Sequence, residues 1–231
     1  MKILIALFFI SITLFADANF NQSKKILLKQ IYHDNRVTFY CEVPYEFEVI
    51  KGKETVVLYP KGKYTPRNAF TKSGKPNERT TRLEWEHIMP AENFGRHLPC
   101  WQEGGRKACS KDPLFNKMEA DMHNLVPSIG EVNGDRSNYR FAADLPKKGM
   151  YGECEFEVNF KDKRAYPKLD IRGDIARAYL YMSETYNINL SKQERQLMEV
   201  WHKQDPVSDW ERVKNYRVSK IQGNSNRFAE Q

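Results

Sequence analysis

Four cysteines, Cys41, Cys100, Cys109 and Cys154, constrain this 231-residue chain more than any other feature, because of the segment that precedes them. Lys2 is followed by the apolar run ILIALFFISITLFA and then by Ala16-Asp17-Ala18, a small-x-small cleavage pattern. Residues 1–18 therefore read as a secretory signal. A membrane anchor is the competing reading, but the run is shorter than the roughly 20 residues a spanning helix needs, and polar sequence follows at once. No later segment could span a bilayer, so no stable membrane association is expected. Export to an oxidising compartment, periplasmic or secreted, makes an even number of cysteines a disulfide framework. Cys100 and Cys109 bracket WQEGGRKA, whose Gly104-Gly105 lets the chain turn back on itself. Of the three pairings open to four cysteines this favours Cys100 with Cys109, and hence Cys41 with Cys154. A zinc site is the alternative, but no C-x2-C spacing exists.

The chain is long enough to bury a core without depending on those bridges. Its formal net charge is +7, and removing residues 1–18 takes away Lys2 and Asp17 together, so the mature protein keeps that charge. A basic exported protein is attracted to nucleic acid, anionic lipid or cell-wall polymers, although surplus Lys and Arg often only solubilise. Charge alone selects none of these.

SKKILLKQIYHDN, with Ser23 as N-cap, predicts a first helix. RVTFYCEV and ETVVLYP are β-branched and aromatic and predict strands, whereas residues 61–81, crowded with Gly, Pro, Lys and Arg, read as a long basic loop. LEWEHIMP alternates like a strand and then stops, since Pro90 removes a ladder donor and restricts Met89. Residues 100–109 read as a loop. Asp112-Pro113 is a cap followed by proline at the first helical position, LVPSI predicts a strand, a helix starts near Gly130, and ECEFEVNF predicts another strand. Helices follow to the end: one near Gly173, two with Ser-x-x-Glu starts at Ser191 and Ser208, the last stopping at Gly223. No repeat or linker is visible. The expectation is α+β, a single mixed domain over residues 19–231 whose C-terminal part is helical.

An adjacent Glu86-His87 pair is common on solvated surfaces, and on a strand the two side chains point to opposite faces. They can serve one site only because the strand ends there. DMHNLVPSIGEVNGDRSN concentrates polar residues around a short apolar run beyond what core packing requires. Together with EWEHIMPAENFG and CWQEGGRKAC, in this order, it resembles the bacterial endonuclease I family of periplasmic or secreted nucleases, which belong to the ββα-metal, or His-Me finger, nucleases. The resemblance runs from the first helix to about Gly223.

The resemblance implies that Glu86 and Asn133 are ligands of a divalent metal, that His87 is the general base and that Arg106 holds the phosphate. One carboxylate and one amide oxygen form a hard, incomplete shell that suits Mg²⁺ with several waters, Mn²⁺ or Ca²⁺ being alternatives. A histidine of ordinary pKa, near 6.5, takes a proton from water at neutral pH. A single ion would offset charge on the scissile phosphate and the departing oxygen, and the products would be 5′-phosphate and 3′-hydroxyl ends. By residue type alone, Asn133 before Gly134 reads as a turn and Arg106 as a surface charge, but a Cys100–Cys109 bridge would restrain the loop of Arg106, whose planar fork suits phosphate. Glu119 and His123 are candidates for support behind the site, His123 equally for a buried structural histidine. His33 and His202 read as surface residues and His97 as a loop residue near the site. Asp135, Arg136 and Asn138 read as hydrogen-bonded support, and Trp85, Phe94 and Trp101 as packing. Family members carry further cysteines, one near the position of Arg212. This chain has four, which leaves its C-terminal end less tied down.

Nonspecific cutting calls for backbone contacts rather than base readout, and Arg67, Lys72, Lys75, Arg79, Arg82, Arg106, Lys107 and Arg136 are the candidate cations. The implied partners are double- and single-stranded DNA and RNA, met by a monomer without sequence specificity. Two rivals explain part of the pattern: an exported nucleic-acid-binding protein without turnover, and a basic cell-wall-binding protein. Neither gives a reason for Glu86, His87, Arg106 and Asn133 together.

Overall fold

In the computed structural model, which describes residues 19–230, the chain begins with α1 (Phe20–Ile26), continued by a π-helical turn over Leu27–Ile31. The expected export signal lies outside the described residues. Asn19 caps α1 in a reciprocal capping box with Gln22, so the helix starts earlier than Ser23, whose buried hydroxyl instead donates to the Ala120 carbonyl at 2.6 Å. RVTFYCEV does not form the expected strand. The chain reverses there: Thr38 accepts from Val43 through its hydroxyl at 2.9 Å and from the Glu42 amide through its carbonyl, and Cys41 is drawn to Cys154, with Cα atoms 4.7 Å apart. The strand lies just beyond, as β1 (Tyr45–Ile50), paired antiparallel with β2 (Lys53–Leu58).

After the basic loop come β3 (Leu83–His87), α2 (Ala91–Gly95), α3 (Pro99–Ala108) and α4 (Pro113–Glu119). The expected loop at 100–109 is thus a helix, broken where Gly105 takes φ 64°, a left-handed conformation that glycine adopts without strain. That break lets Cys109 return to Cys100. Asp112 caps α4 through its side chain and Pro113 occupies the first turn. β4 (Leu125–Ile129) then pairs antiparallel with β3, His87 opposite Leu125 and Leu83 opposite Ile129, and α5 (Gly130–Arg136) follows directly. Two antiparallel strands and a helix thus form one unit at the middle of the chain.

The remaining strands, β5 (Arg140–Phe141), β6 (Phe156–Asn159) and β7 (Arg164–Pro167), make a sheet ordered β5-β7-β6. α6 (Arg172–Thr185) runs through the core with Ile175, Ala176, Tyr179 and Met182 buried, packed against α7 (Lys192–Gln204) and tied to α8 (Asp209–Gln222) by the Arg177–Glu211 ion pair. Ser208 and Glu211 make the full capping box, whereas Ser191 caps only in one direction. Behind α8 the C-terminal end is held despite lacking a further disulfide: Asn215 and Asn226 exchange hydrogen bonds at 3.1 and 2.8 Å, and Arg227 pairs with Glu184. No helix among the described residues is long and apolar enough to cross a membrane.

Candidate active site

Strand alternation sends Glu84 and Glu86 to one face of β3, which α5 covers, and Trp85 and His87 to the other, which faces α1. The pairing on the α5 face is regular. Asn133 Nδ2 donates to Glu84 Oε2 at 2.9 Å, and one turn later Arg136 donates to Glu86 Oε1 at 2.9 Å. Steps of two along the strand meet steps of three along the helix. On the other face His87 lies 4.9 Å from the ring of Phe20 and 5.8 Å from that of Phe94.

β3 ends at His87 because its neighbours are bound elsewhere. Arg136 also donates to the carbonyls of His87 and Ile88, at 2.9 and 2.6 Å, and the Asn124 amide clamps Met89 on both its N–H and its carbonyl. At this end Glu86 and His87, although on opposite faces, both border one cleft of about 720 Å³, together with Phe20, Lys24, Arg106 and Asn133.

His87 Nε2 lies 2.8 Å from the Glu119 carbonyl. A carbonyl only accepts, so Nε2 carries the proton and Nδ1 keeps the lone pair. Burial pushes the His87 pKa down to about 3, against the raising effect of that carbonyl, and the positive field of Arg106, Arg136 and Lys24 adds to the lowering. The ordinary value assumed from sequence does not hold: the ring is neutral at pH 7. Glu86, 3% exposed, moves the other way, with burial raising it to about 7 against the lowering pull of Arg136 and Tyr40. Tyr40 donates to the same Oε1 at 2.9 Å. Glu86 Oε2 and Asn133 Oδ1 accept nothing from the described residues, and no group of three or more His, Cys, Asp or Glu among those residues could hold a metal ion. One carboxylate oxygen and one amide oxygen are thus the hard donors at hand, a thin set that fits an ion keeping most of its water.

Glu119 supports both cleft partners, His87 through its carbonyl and Arg106 through its carboxylate, which accepts from Arg106 Nε at 2.6 Å. The remaining Arg106 nitrogens stay open on a half-exposed side chain, with the guanidinium 5.6 Å from the Phe20 ring. His123 takes the second of its two expected roles, that of a buried, hydrogen-bonded histidine. Its Nε2 meets the Asn224 carbonyl at 2.9 Å and its ring packs on Tyr181, facing a separate cavity behind β4, so it supports the fold and not the cleft. Nor is His202 a plain surface residue, since its ring packs edge-on against Phe228 and its Nδ1 is buried.

The candidate phosphate cations divide. Arg136 is 0% exposed and cannot reach a ligand. Arg67 is held bidentately by Asp135, at 2.9 and 2.8 Å, and Arg79 and Arg82 both close on Glu84. Lys72, Lys75, Arg106 and Lys107 are exposed. Sequence reasoning did not single out Tyr40, Glu84, Phe20 or Lys24 as parts of the site. Glu84 had a signal, two positions before Glu86 and hence on its face; the others arrive from distant segments and had none.

A family model described as Endonuclease I matches residues 19–231. A periplasmic deoxyribonuclease of Aeromonas hydrophila is 48% identical over 212 residues, covering 91% of this chain and 85% of its own length. An extracellular deoxyribonuclease of the same organism is 47% identical over 204 residues, 88% of this chain and 84% of its own. Endonuclease-1 of Buchnera aphidicola subsp. Baizongia pistaciae is 41% identical over 214 residues, 91% and 82% of the two chains.

Proposed function

Because the chain belongs to the endonuclease I family, we propose that it is an exported endonuclease, periplasmic or secreted, that hydrolyses phosphodiester bonds of DNA and RNA without sequence specificity. The observation that carries this reading is His87: its Nε2 proton is committed to the Glu119 carbonyl, and the neutral ring faces the cleft that Glu86 and Asn133 border. In this reading β3, β4 and α5 form the ββα-metal core.

Glu86 and Asn133 would hold one divalent ion, Mg²⁺ first, through the two oxygens that accept nothing from the described residues. The bound ion would supply charge stabilisation at the scissile phosphate. His87 takes a proton on Nδ1 from a water that attacks phosphorus. The P–O3′ bond breaks, the 3′ oxygen leaves as a hydroxyl after gaining a proton from solvent, and the phosphate stays on the 5′ side. Arg106, oriented by Glu119, grips a nonbridging phosphate oxygen with its open nitrogens. Lys72, Lys75 and Lys107 add backbone contacts that carry no sequence information.

The test is plasmid cleavage by the purified monomer with Mg²⁺, with chelator, and as His87→Ala. Cutting that needs the ion and collapses in the variant is expected. Metal-independent DNA binding without cutting would establish the rival reading, a binding protein on the same scaffold.

A further inference from the structure

Glu84 is the most heavily engaged acidic group on β3, and no step above uses it. Its carboxylate accepts from Arg79 through Nε and Nη2 at 3.1 and 2.6 Å, from Arg82, and from Asn133 Nδ2 at 2.9 Å. Its side chain is 16% exposed. The helix opposite is cut to fit this cluster. A Cβ at Gly130 would lie 2.8 Å from Glu84 Oε1, and one at Gly134 would lie 2.2 Å from Arg79 Nη1. Only glycines flanking Asn133 in GEVNG let the Arg79–Glu84 pair sit this close to α5.

We propose that Glu84 is a positioning residue for the cleft, fixing the amide of Asn133 so that Oδ1 is presented as a metal-binding oxygen. The logic is donor against acceptor. An amide has one donating and one accepting end, and a carboxylate only accepts, so the end facing Glu84 must be Nδ2 and the other end must be Oδ1. Without Glu84 the amide is free to rotate and to present its NH₂ end to a cation, which repels it. Arg79, gripping through two nitrogens, holds the carboxylate in place, and the two glycines give it room. The proposal rests on the reading of Glu86 and Asn133 as the metal-holding pair.

The test is Mg²⁺ binding to the full mature chain by titration calorimetry, without nucleic acid. Glu84→Ala is expected to bind Mg²⁺ about 10- to 100-fold more weakly, the usual effect of removing a group that orients a ligand. Arg82→Met, which takes an exposed partner from the same carboxylate but leaves the Asn133 bond, should stay within about threefold of wild type. In an Asn133→Ala background Glu84→Ala should have no further effect on affinity; a further loss there means Glu84 does not act through Asn133 and overturns the proposal. Unchanged Mg²⁺ affinity in Glu84→Ala, with only a lower melting temperature, makes Glu84 merely structural and also overturns it. Should Glu84→Ala not fold, the wild-type side-chain amide of Asn133 decides by NMR. Slow solvent exchange of the Asn133 Nδ2 protons supports the bond to Glu84, and exchange as fast as that of an exposed asparagine refutes it. A wild-type protein that binds no Mg²⁺ overturns the reading of the cleft and this proposal together, whereas wild-type binding equal to that of Glu84→Ala overturns this proposal alone.

Discussion

Arg136→Met should be the most damaging single substitution near the cleft, although Arg136 touches no substrate. The side chain is 0% exposed and makes hydrogen bonds to Glu86, to the carbonyls of His87 and Ile88, and to Tyr179 at 3.4 Å, over the ring of Phe141 at 4.5 Å. Burial opposes its charge, but Glu86 beside it holds it above the usual arginine range. Methionine keeps most of the stem and removes every donor. Glu86 is then a buried carboxylate with Tyr40 as its remaining partner, and breaking a buried pair from one side costs roughly 3–5 kcal/mol. Against a total stability of about 5–15 kcal/mol, and at about 2–4 °C per kcal/mol for a chain of this size, melting should fall by roughly 6–20 °C. The assay is urea and thermal unfolding followed by tryptophan fluorescence with the disulfides intact. Glu86→Gln in the same chain neutralises the stranded charge and keeps an acceptor for Tyr40, so the double variant should recover at least about 1 kcal/mol of the loss. Arg136→Met losing less than about 1 kcal/mol, or a double variant no better than the single, would refute the reasoning.

The two disulfides should separate by loop length: cutting Cys41–Cys154, which closes 113 residues, costs about 4.8 kcal/mol in the chain-entropy model, and cutting Cys100–Cys109, which closes 9, about 2.6 kcal/mol. The shorter bridge carries the turn that holds Arg106, so Cys100→Ser/Cys109→Ser should stay folded and lose turnover; full activity would show that the bridge serves stability alone. Asn133→Asp offers a harder ligand but sets a second carboxylate against Glu84, so the metal-free variant should melt lower than Asn133→Ala, and Mg²⁺ should recover part of the difference. If Lys72, Lys75, Arg106 and Lys107 each meet a phosphate, the log–log salt slope is about −3.6, and raising salt fourfold should weaken DNA binding roughly 100-fold; a flat response contradicts backbone binding. Burial pushes the Lys214 ammonium down to about 8, against the pull of Asp174 and Glu211. Below that pH both folded and unfolded chains carry the charge and the penalty is full; as pH rises from about 8 toward the ordinary lysine value, the folded chain releases the proton first and the penalty fades. Lys214→Met should therefore raise the melting temperature at pH 7 by a few degrees, roughly 2–4 °C per kcal/mol, with the gain shrinking by pH 10.

Period and punctuation made some of this legible in the sequence. The alternation of Leu83 to His87 and the proline after it give the strand and its end, and the caps at Asp112 and Ser208 place two helix starts within a residue. Local preference misled where long-range contacts decide. RVTFYCEV has strand composition, yet the pull of Cys41 toward Cys154, 113 positions away, turns the chain there. Residues 100–109 contain two glycines and read as loop, yet only Gly104 and Gly105 leave helical geometry, Gly105 with a positive φ, and the rest stay helical. In the cleft, the family resemblance pointed to Glu86, His87, Arg106 and Asn133, where residue type alone gave a surface pair, a surface charge and a turn, and it did not point to what surrounds them. Arg136 read as a phosphate candidate and as support alike, because a formal charge carries no information on burial. Phe20, placed against His87 by α1, leaves no trace in the local pattern.

What burial adds is a division of labour within each cleft side chain. Glu86, Asn133 and His87 each have two polar atoms, and in each one atom is bound to the protein: Oε1 to Arg136 and Tyr40, Nδ2 to Glu84, and Nε2 to the Glu119 carbonyl. The partner is of the opposite kind every time, donors on the carboxylate oxygen and acceptors on the two nitrogens, so the bound atom dictates which kind of atom remains. A carboxylate oxygen, an amide oxygen and an imidazole lone pair are what remain, and all three are electron-pair donors. Had the acceptor beside Asn133 or His87 been a donor instead, that residue would offer the cleft an N–H in place of its electron pair. The set of electron-pair donors facing the cleft therefore rests as much on Glu84 and the carbonyl of residue 119 as on the side chains that present it.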